Sequence, residues 1–118
     1  MPSKQEFNEF LKKLRKESEY SIIIVEGIKD KKSLEKFDIK NIITLKRPLY
    51  AVIENVVKIG RPCIILTDLD KKGKELYSRL SSGLKQFGVK IDNNPRDFLF
   101  KTNLRQIEGL PSYLEKLD

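Results

Sequence analysis

The chain has no histidine, no tryptophan and a single cysteine. Without histidine there is no Ser-His-Asp or Cys-His catalysis and no imidazole-bound zinc. The lone cysteine, Cys63, can form neither an internal disulfide nor a thiolate zinc site, and nothing in its use points to secretion. No apolar stretch approaches the ~20 residues that a bilayer-spanning helix needs. The N-terminal MPSKQEFNEF is polar and carries acids, unlike a signal peptide. The expected compartment is therefore the cytoplasm, with no membrane partner. Any catalysis has to come from carboxylates, lysines, arginines or tyrosines.

What is present suits one globular domain, residues 1–118, with 39% apolar residues and many β-branched ones. Lysine and arginine number 24 against 17 acids, a net charge of +7. Such a surface suits a polyanionic partner, because each cation placed near a phosphate releases a condensed counterion. A well-solvated lysine-rich surface would have the same composition.

Residues 1–19 read as an N-terminal amphipathic helix. Ser3 and Glu6 form a capping-box pattern, and Phe7, Phe10, Leu11 and Leu14 make one stripe. Tyr20 to Val25 is a continuous β-branched run, as expected of a parallel strand buried on both faces. Asp30 to Phe37 reads as a short helix and Asn41 to Leu45 as a second strand. A helix follows Pro48, with Leu49, Val52, Ile53, Val56 and Val57 inward and Gly60 as its C-terminal cap. Cys63 to Thr67 is the third strand, and Lys72 to Gln86 the next helix. Val89 to Ile91 is a candidate extended segment, and Asp97 to Lys101 is expected as a fourth strand. Residues 101–118 hold a turn and a short helix from Pro111 to Leu117. Strands alternating with helices predict an α/β fold with a parallel sheet and helices on both faces.

The chemistry gathers at two strand ends. Glu26 and Gly27 follow the first strand, and Asp68 and Asp70 follow the third. Each pair alone is an ordinary turn or helix cap. In a parallel sheet, however, all three carboxylates converge on one carboxyl edge, and such a cluster repels itself unless a cation lies between. Oxygen-only ligands favour magnesium, manganese or calcium. Gly27 and Gly73 would let a phosphate backbone approach closely.

Ile23-Ile24-Val25-Glu26-Gly27-Ile28-Lys29-Asp30 resembles the first motif of Toprim domains. Leu66-Thr67-Asp68-Leu69-Asp70-Lys71-Lys72-Gly73 resembles their second, D-x-D-x-x-G. Toprim domains occur in topoisomerases, primases, overcoming-lysogenisation-defect nucleases and the ribonuclease that matures 5S ribosomal RNA. The resemblance covers about residues 20–100. It implies a Rossmann-like three-layer fold with about four parallel strands. It also implies a Mg2+ or Mn2+ site at Asp68 and Asp70, with Glu26 as acid–base or further ligand and Asp30 in support. The domains that a topoisomerase or a primase adds are not expected here, so the likeness is to small free-standing members.

The expected function is metal-dependent phosphodiester chemistry on nucleic acid, a nuclease or RNA-processing enzyme, with RNA favoured over DNA. Lys29, Lys31, Lys32, Lys71, Lys72 and Lys74 flank both motifs and are the expected backbone-positioning cations. Lys46, Arg47 and Arg105 are weaker candidates, and Glu108 is either a salt-bridge partner of Arg105 or a fourth site acid. The alternative is a non-catalytic RNA- or DNA-binding module acting with a protein partner in a larger complex. A phosphate-receiving regulatory domain also places acids at a sheet edge, but fits the two separate motifs less well.

Overall fold

A computed structural model describes residues 1–117. Helix α1 (Lys4–Glu17) precedes strand β1 (Ile22–Val25), helix α2 (Ile28–Glu35) and strand β2 (Ile42–Thr44). Helix α3 (Leu49–Ile59), strand β3 (Cys63–Ile65) and helix α4 (Lys71–Gln86) follow. The chain closes with α5 (Asn94–Phe100), a 3-10 turn (Ile107–Gly109) and α6 (Leu110–Glu115). The fold is α/β, as the alternation predicts.

The sheet is parallel and has the order β2-β1-β3. The central strand β1 is apolar and buried throughout, because helices cover both faces. Its residues alternate between two cores. Ile23 and Val25 join Ile64 and Leu66 in a cluster with Phe7, Leu11 and Leu14 of α1 and Leu99 of α5. Ile22 and Ile24 join Cys63 and Ile65 in a cluster with Val52 and Val56 of α3 and Leu80 and Leu84 of α4. Burial pushes the Cys63 thiol up to about 12, so it packs as an inert apolar group.

Local signals account for most element ends. Ser3 accepts from the Glu6 N–H while the Glu6 carboxylate accepts from the Ser3 N–H, a complete capping box. Gly60 ends α3 in the left-handed region at φ 74°, where a Cβ would be strained.

The sheet departs from expectation at the fourth strand. Asp97 to Lys101 is not a strand: residues 94–100 are helix α5, with Pro95 in its first turn. Apolar runs this short do not distinguish helix from strand by period, whereas a proline that needs no N–H suits a helix start. The position beside β3 is taken instead by an isolated bridge between Cys63 and Ile91. It is held by Cys63 N–H to the Lys90 carbonyl at 2.9 Å and by Asp92 N–H to the Cys63 carbonyl at 3.0 Å. The expected four-stranded sheet is thus three strands and a bridge among the described residues. Among those residues no helix is long and apolar enough to cross a membrane.

Helix α1 docks through Phe7, whose ring lies 5.7 Å from Phe10, 5.4 Å from Phe98 and 5.6 Å from Tyr113. Phe7 has no exposed surface. Phe7→Ala should cost about 4 kcal/mol of stability, read as a lower urea midpoint at unchanged slope.

Candidate functional site

The strand order reverses at β1. Strand β2 lies on one side of it and β3 on the other, so the carboxyl ends of β1 and β3 flank a switch point, where open α/β sheets bind ligands. Glu26 leaves β1 at that point, and Asp68 lies just beyond β3. The Glu26 carboxylate reaches across and its Oε2 accepts the Asp68 N–H at 2.8 Å. The two expected motifs therefore meet directly.

Four carboxylates occupy this edge, each held through one oxygen by a main-chain N–H. Glu26 takes the Asp68 bond already described. Asp30 Oδ2 accepts from Gly27 N–H at 3.0 Å, so Asp30 caps α2. Asp70 Oδ1 accepts from Gly73 N–H at 2.8 Å and caps α4. Asp68 Oδ1 accepts from Ile107 N–H at 2.9 Å, from a segment 39 residues away. The regular strand ends at Ile65, yet alternation persists: Leu69 is buried in the core between half-buried Asp68 and Asp70. Leu69 N–H donates to the Arg105 carbonyl at 2.7 Å, which fixes this stretch against the C-terminal segment.

Burial is the main force on Asp68, and the charges of Asp30, Glu26 and Asp70 add to it. Together they outweigh the Ile107 N–H and push the carboxyl up to about 6. Asp30 is also raised, by burial first, with the charge of Glu108 contributing.

A residue absent from the sequence reading underlies the edge. Arg96 is only 4% exposed. Its Nη1 donates to the Thr67 carbonyl at 2.6 Å, and Nη2 donates to the carbonyls of Asp68 at 3.1 Å and Gly73 at 3.5 Å. The guanidinium lies 4.8 Å from the Tyr77 ring and 5.2 Å from that of Phe100. Its only sequence signal was an arginine beside the apolar run Phe98-Leu99-Phe100.

Gly73 has a different role from the one expected. It is buried, and a Cβ on it would lie 1.7 Å from the Asp68 carbonyl oxygen. It admits the end of β3 rather than an incoming phosphate. Thr67 Oγ1 donates to the Gly73 carbonyl at 2.7 Å and completes the joint.

Of the flanking cations, Lys29, Lys71 and Lys72 lie in the first turns of α2 and α4, which begin at this edge, whereas Lys32 lies in the last turn of α2 and the Lys74 ammonium sits 5.5 Å from the Phe100 ring. Lys29, Lys32, Lys71, Lys72 and Lys74 are exposed and Lys31 is half-buried. Arg105 and Glu108 do not pair as considered above. Arg105 Nη1 donates to the carbonyls of Thr102 at 3.0 Å and Leu104 at 2.6 Å, while the charge of Glu108 bears on Asp30. Among the described residues no group of three or more acid or cysteine side chains is placed to hold a metal ion, so Glu26, Asp68 and Asp70 do not form a ready three-ligand site. Magnesium needs no such site, since it keeps several waters and takes one or two carboxylates.

Against known proteins, the chain is 34% identical over 114 residues to the UPF0292 protein of Methanocaldococcus jannaschii, covering 92% of this chain and 89% of that one. The chain belongs to the UPF0292 family. A UPF0292 protein of Pyrococcus abyssi is 37% identical over 89 residues, 75% of this chain and 67% of its own. A solved structure of a protein from Aquifex aeolicus superposes with a TM-score of 0.81 at 37% identity, over 86% of this chain and 94% of that one. No family model matches the chain. The assignment to Toprim domains is therefore corrected: the relatives are UPF0292 proteins, and no Toprim model matches. Two short motifs of common turn-and-cap residues carried that likeness, and the capping bonds of Asp30 and Asp70 satisfy much of the same pattern.

Two outcomes follow from this geometry. Gly73→Ala should lose about 3 kcal/mol or more in chemical denaturation, since the Asp68 backbone has to move. Native Asp68 keeps a proton that the unfolded chain releases near 3.8, so its contribution to stability falls as pH rises from about 4 to about 6. Asp68→Asn should flatten that slope and raise stability at neutral pH by about 1 kcal/mol, allowing for solvent screening. Urea unfolding of both proteins across pH 4 to 8 checks this.

Proposed function

We propose that this UPF0292 protein uses a divalent cation, magnesium or manganese, to act on phosphodiester bonds of nucleic acid, RNA in preference to DNA. The observation that carries the reading is the group of four carboxylates at the β1/β3 switch point. All are held by backbone N–H groups, with no lysine or arginine bonded to them among the described residues. Acids crowded at a ligand-binding crevice without a bonded cation of the protein's own suit an external one.

Asp68 and Asp70 are the residues that would hold the ion, each with one oxygen not engaged by the N–H described. A bound divalent cation would offset negative charge on the phosphate and its leaving oxygen. Glu26 keeps Asp68 in place through one oxygen, and its other oxygen is free to hold or move a proton. Lysines of the first turns of α2 and α4 would draw in the polyanion, Lys29, Lys71 and Lys72 foremost, with Lys32 one turn further along α2.

A second reading has its own support. Asp30 and Asp70 already serve as helix caps, a structural use that needs no ion. On that reading the chain binds nucleic acid within a larger complex and does not cleave it.

Titration calorimetry with Mn2+ should detect binding to the wild type and none to the Asp68→Asn/Asp70→Asn protein. With labelled structured RNA and Mg2+ or Mn2+, cleavage should fall roughly 100-fold or more in the same variant. Equal cleavage by variant and wild type would sink the enzymatic reading. RNA binding without cleavage, kept by the variant, would establish the second.

A further inference from the structure

Beside Asp70 the surface opens into a cleft of about 410 Å3. Its walls come from the segment after α5 and from α6, a region that the two motifs do not include. Asn103, Arg105, Gln106, Ser112 and Lys116 line it, and Asp70 is the one acid among its lining residues. Two cations and four neutral hydrogen-bonding side chains, Tyr113 being the fourth, stand on a wall that Leu104 and Gly109 make partly apolar, a lining that suits an anionic ligand with a flat apolar face.

Arg105 sets this cleft apart from the lysine-covered surface elsewhere. Its Nη1 is tied to the Thr102 and Leu104 carbonyls. These bonds fix the guanidinium ahead of binding, and its remaining N–H groups take no protein acceptor among the described residues. A fork held in place loses less freedom on meeting a phosphate than a solvated lysine does. The same segment also touches the acidic edge, through Leu69 N–H to the Arg105 carbonyl at 2.7 Å and Ile107 N–H to Asp68 Oδ1 at 2.9 Å. Cleft and acids are therefore parts of one joined structure.

We infer that this cleft is a subsite for one nucleotide of the strand flanking the phosphate held at the acidic edge, with Arg105 and Lys116 on its phosphate and Gln106 and Asn103 on its polar edges. Its volume lies in the range of small-ligand sites. Asp70 is shared by both. The inference rests on the nucleic-acid reading of the acidic edge, but it concerns binding and needs no metal.

The test uses fluorescence anisotropy with a labelled single-stranded RNA decamer in EDTA, so that binding is read apart from cleavage. Arg105→Ala/Lys116→Ala should weaken binding at least tenfold. The charge-matched Lys58→Ala/Lys85→Ala protein, altered at the far ends of α3 and α4, should stay within twofold of wild type. If Arg105→Ala loosens the loop, as circular dichroism would show, Lys116→Glu alone should still weaken binding severalfold. Equal loss in the cleft and control proteins overturns the subsite. Cleft-specific loss in a protein that never cleaves RNA overturns the enzymatic reading and leaves the subsite standing.

Discussion

The Arg96 guanidinium bonds three main-chain carbonyls, and the acidic edge is built on them. Thr67 and Asp68 belong to the loop after β3 and Gly73 to the first turn of α4, where the backbone turns away from the sheet ladder. Buried carbonyls without partners would each cost about 1–3 kcal/mol. A cation bonding all three meets that need and draws strand end and helix start together. The approach is tight enough that position 73 tolerates no Cβ. Burying a guanidinium carries its own desolvation penalty, which lowers its pKa, and the charges of Glu26, Asp68 and Asp97 act against that. Cation and acids are thus coupled through the backbone: the acids favour the buried charge, and the buried charge fixes the loop that carries two of them.

The same carboxylates do two jobs that pull against each other. Asp30 and Asp70 stabilise helix starts, where a negative charge also meets the positive end of the helix dipole. Burial pushes the Asp68 carboxyl up to about 6, and the charges of Asp30, Glu26 and Asp70 add to that. Caps alone do not require that arrangement, because serine or asparagine caps a helix without adding charge. Four acids where four neutral caps and braces would fold as well is the physical ground for reading the edge as functional.

Much of this was legible in the chain, for identifiable reasons. The run Ile22–Val25 is too apolar for anything but a doubly buried strand, and Gly60 followed by Pro62 could only end a helix. The convergence of Glu26 with Asp68 followed from parallel strands alone. Spatial order did not: nothing in the residues says that β3 pairs with β1 on the side away from β2, and the switch point depends on that. Residues 97–101 were misread because five residues hold neither a helical nor a strand period, and the informative residue was Pro95 upstream. Arg96 and the Ile107 N–H were invisible, since their partners lie 29 and 39 residues away. Gly73 was singled out correctly as special and explained wrongly, because a sequence does not show which atom occupies the space a side chain would fill.

The C-terminal segment completes the site. Leu69 and Asp68 are held by residues 105 and 107, and the Ile107 carbonyl in turn accepts from Ser33 Oγ of α2 at 2.9 Å, across 74 residues. One turn of chain thus ties the loop after β3 to the helix after β1. Leu104, Ile107 and Leu110 of this segment belong to the core around Phe7 and Leu66, so the segment that holds the loop is itself part of the packed interior. Until residues 102–110 dock, Asp68 lacks its backbone donor and Leu69 its acceptor, and the two acids beyond β3 have no fixed spacing. The same docking that sets the carboxylates also raises the wall of the cleft beside Asp70. A substitution that loosens residues 102–110 therefore disturbs acids and cleft together, whereas one confined to a cleft side chain leaves the acids as they are.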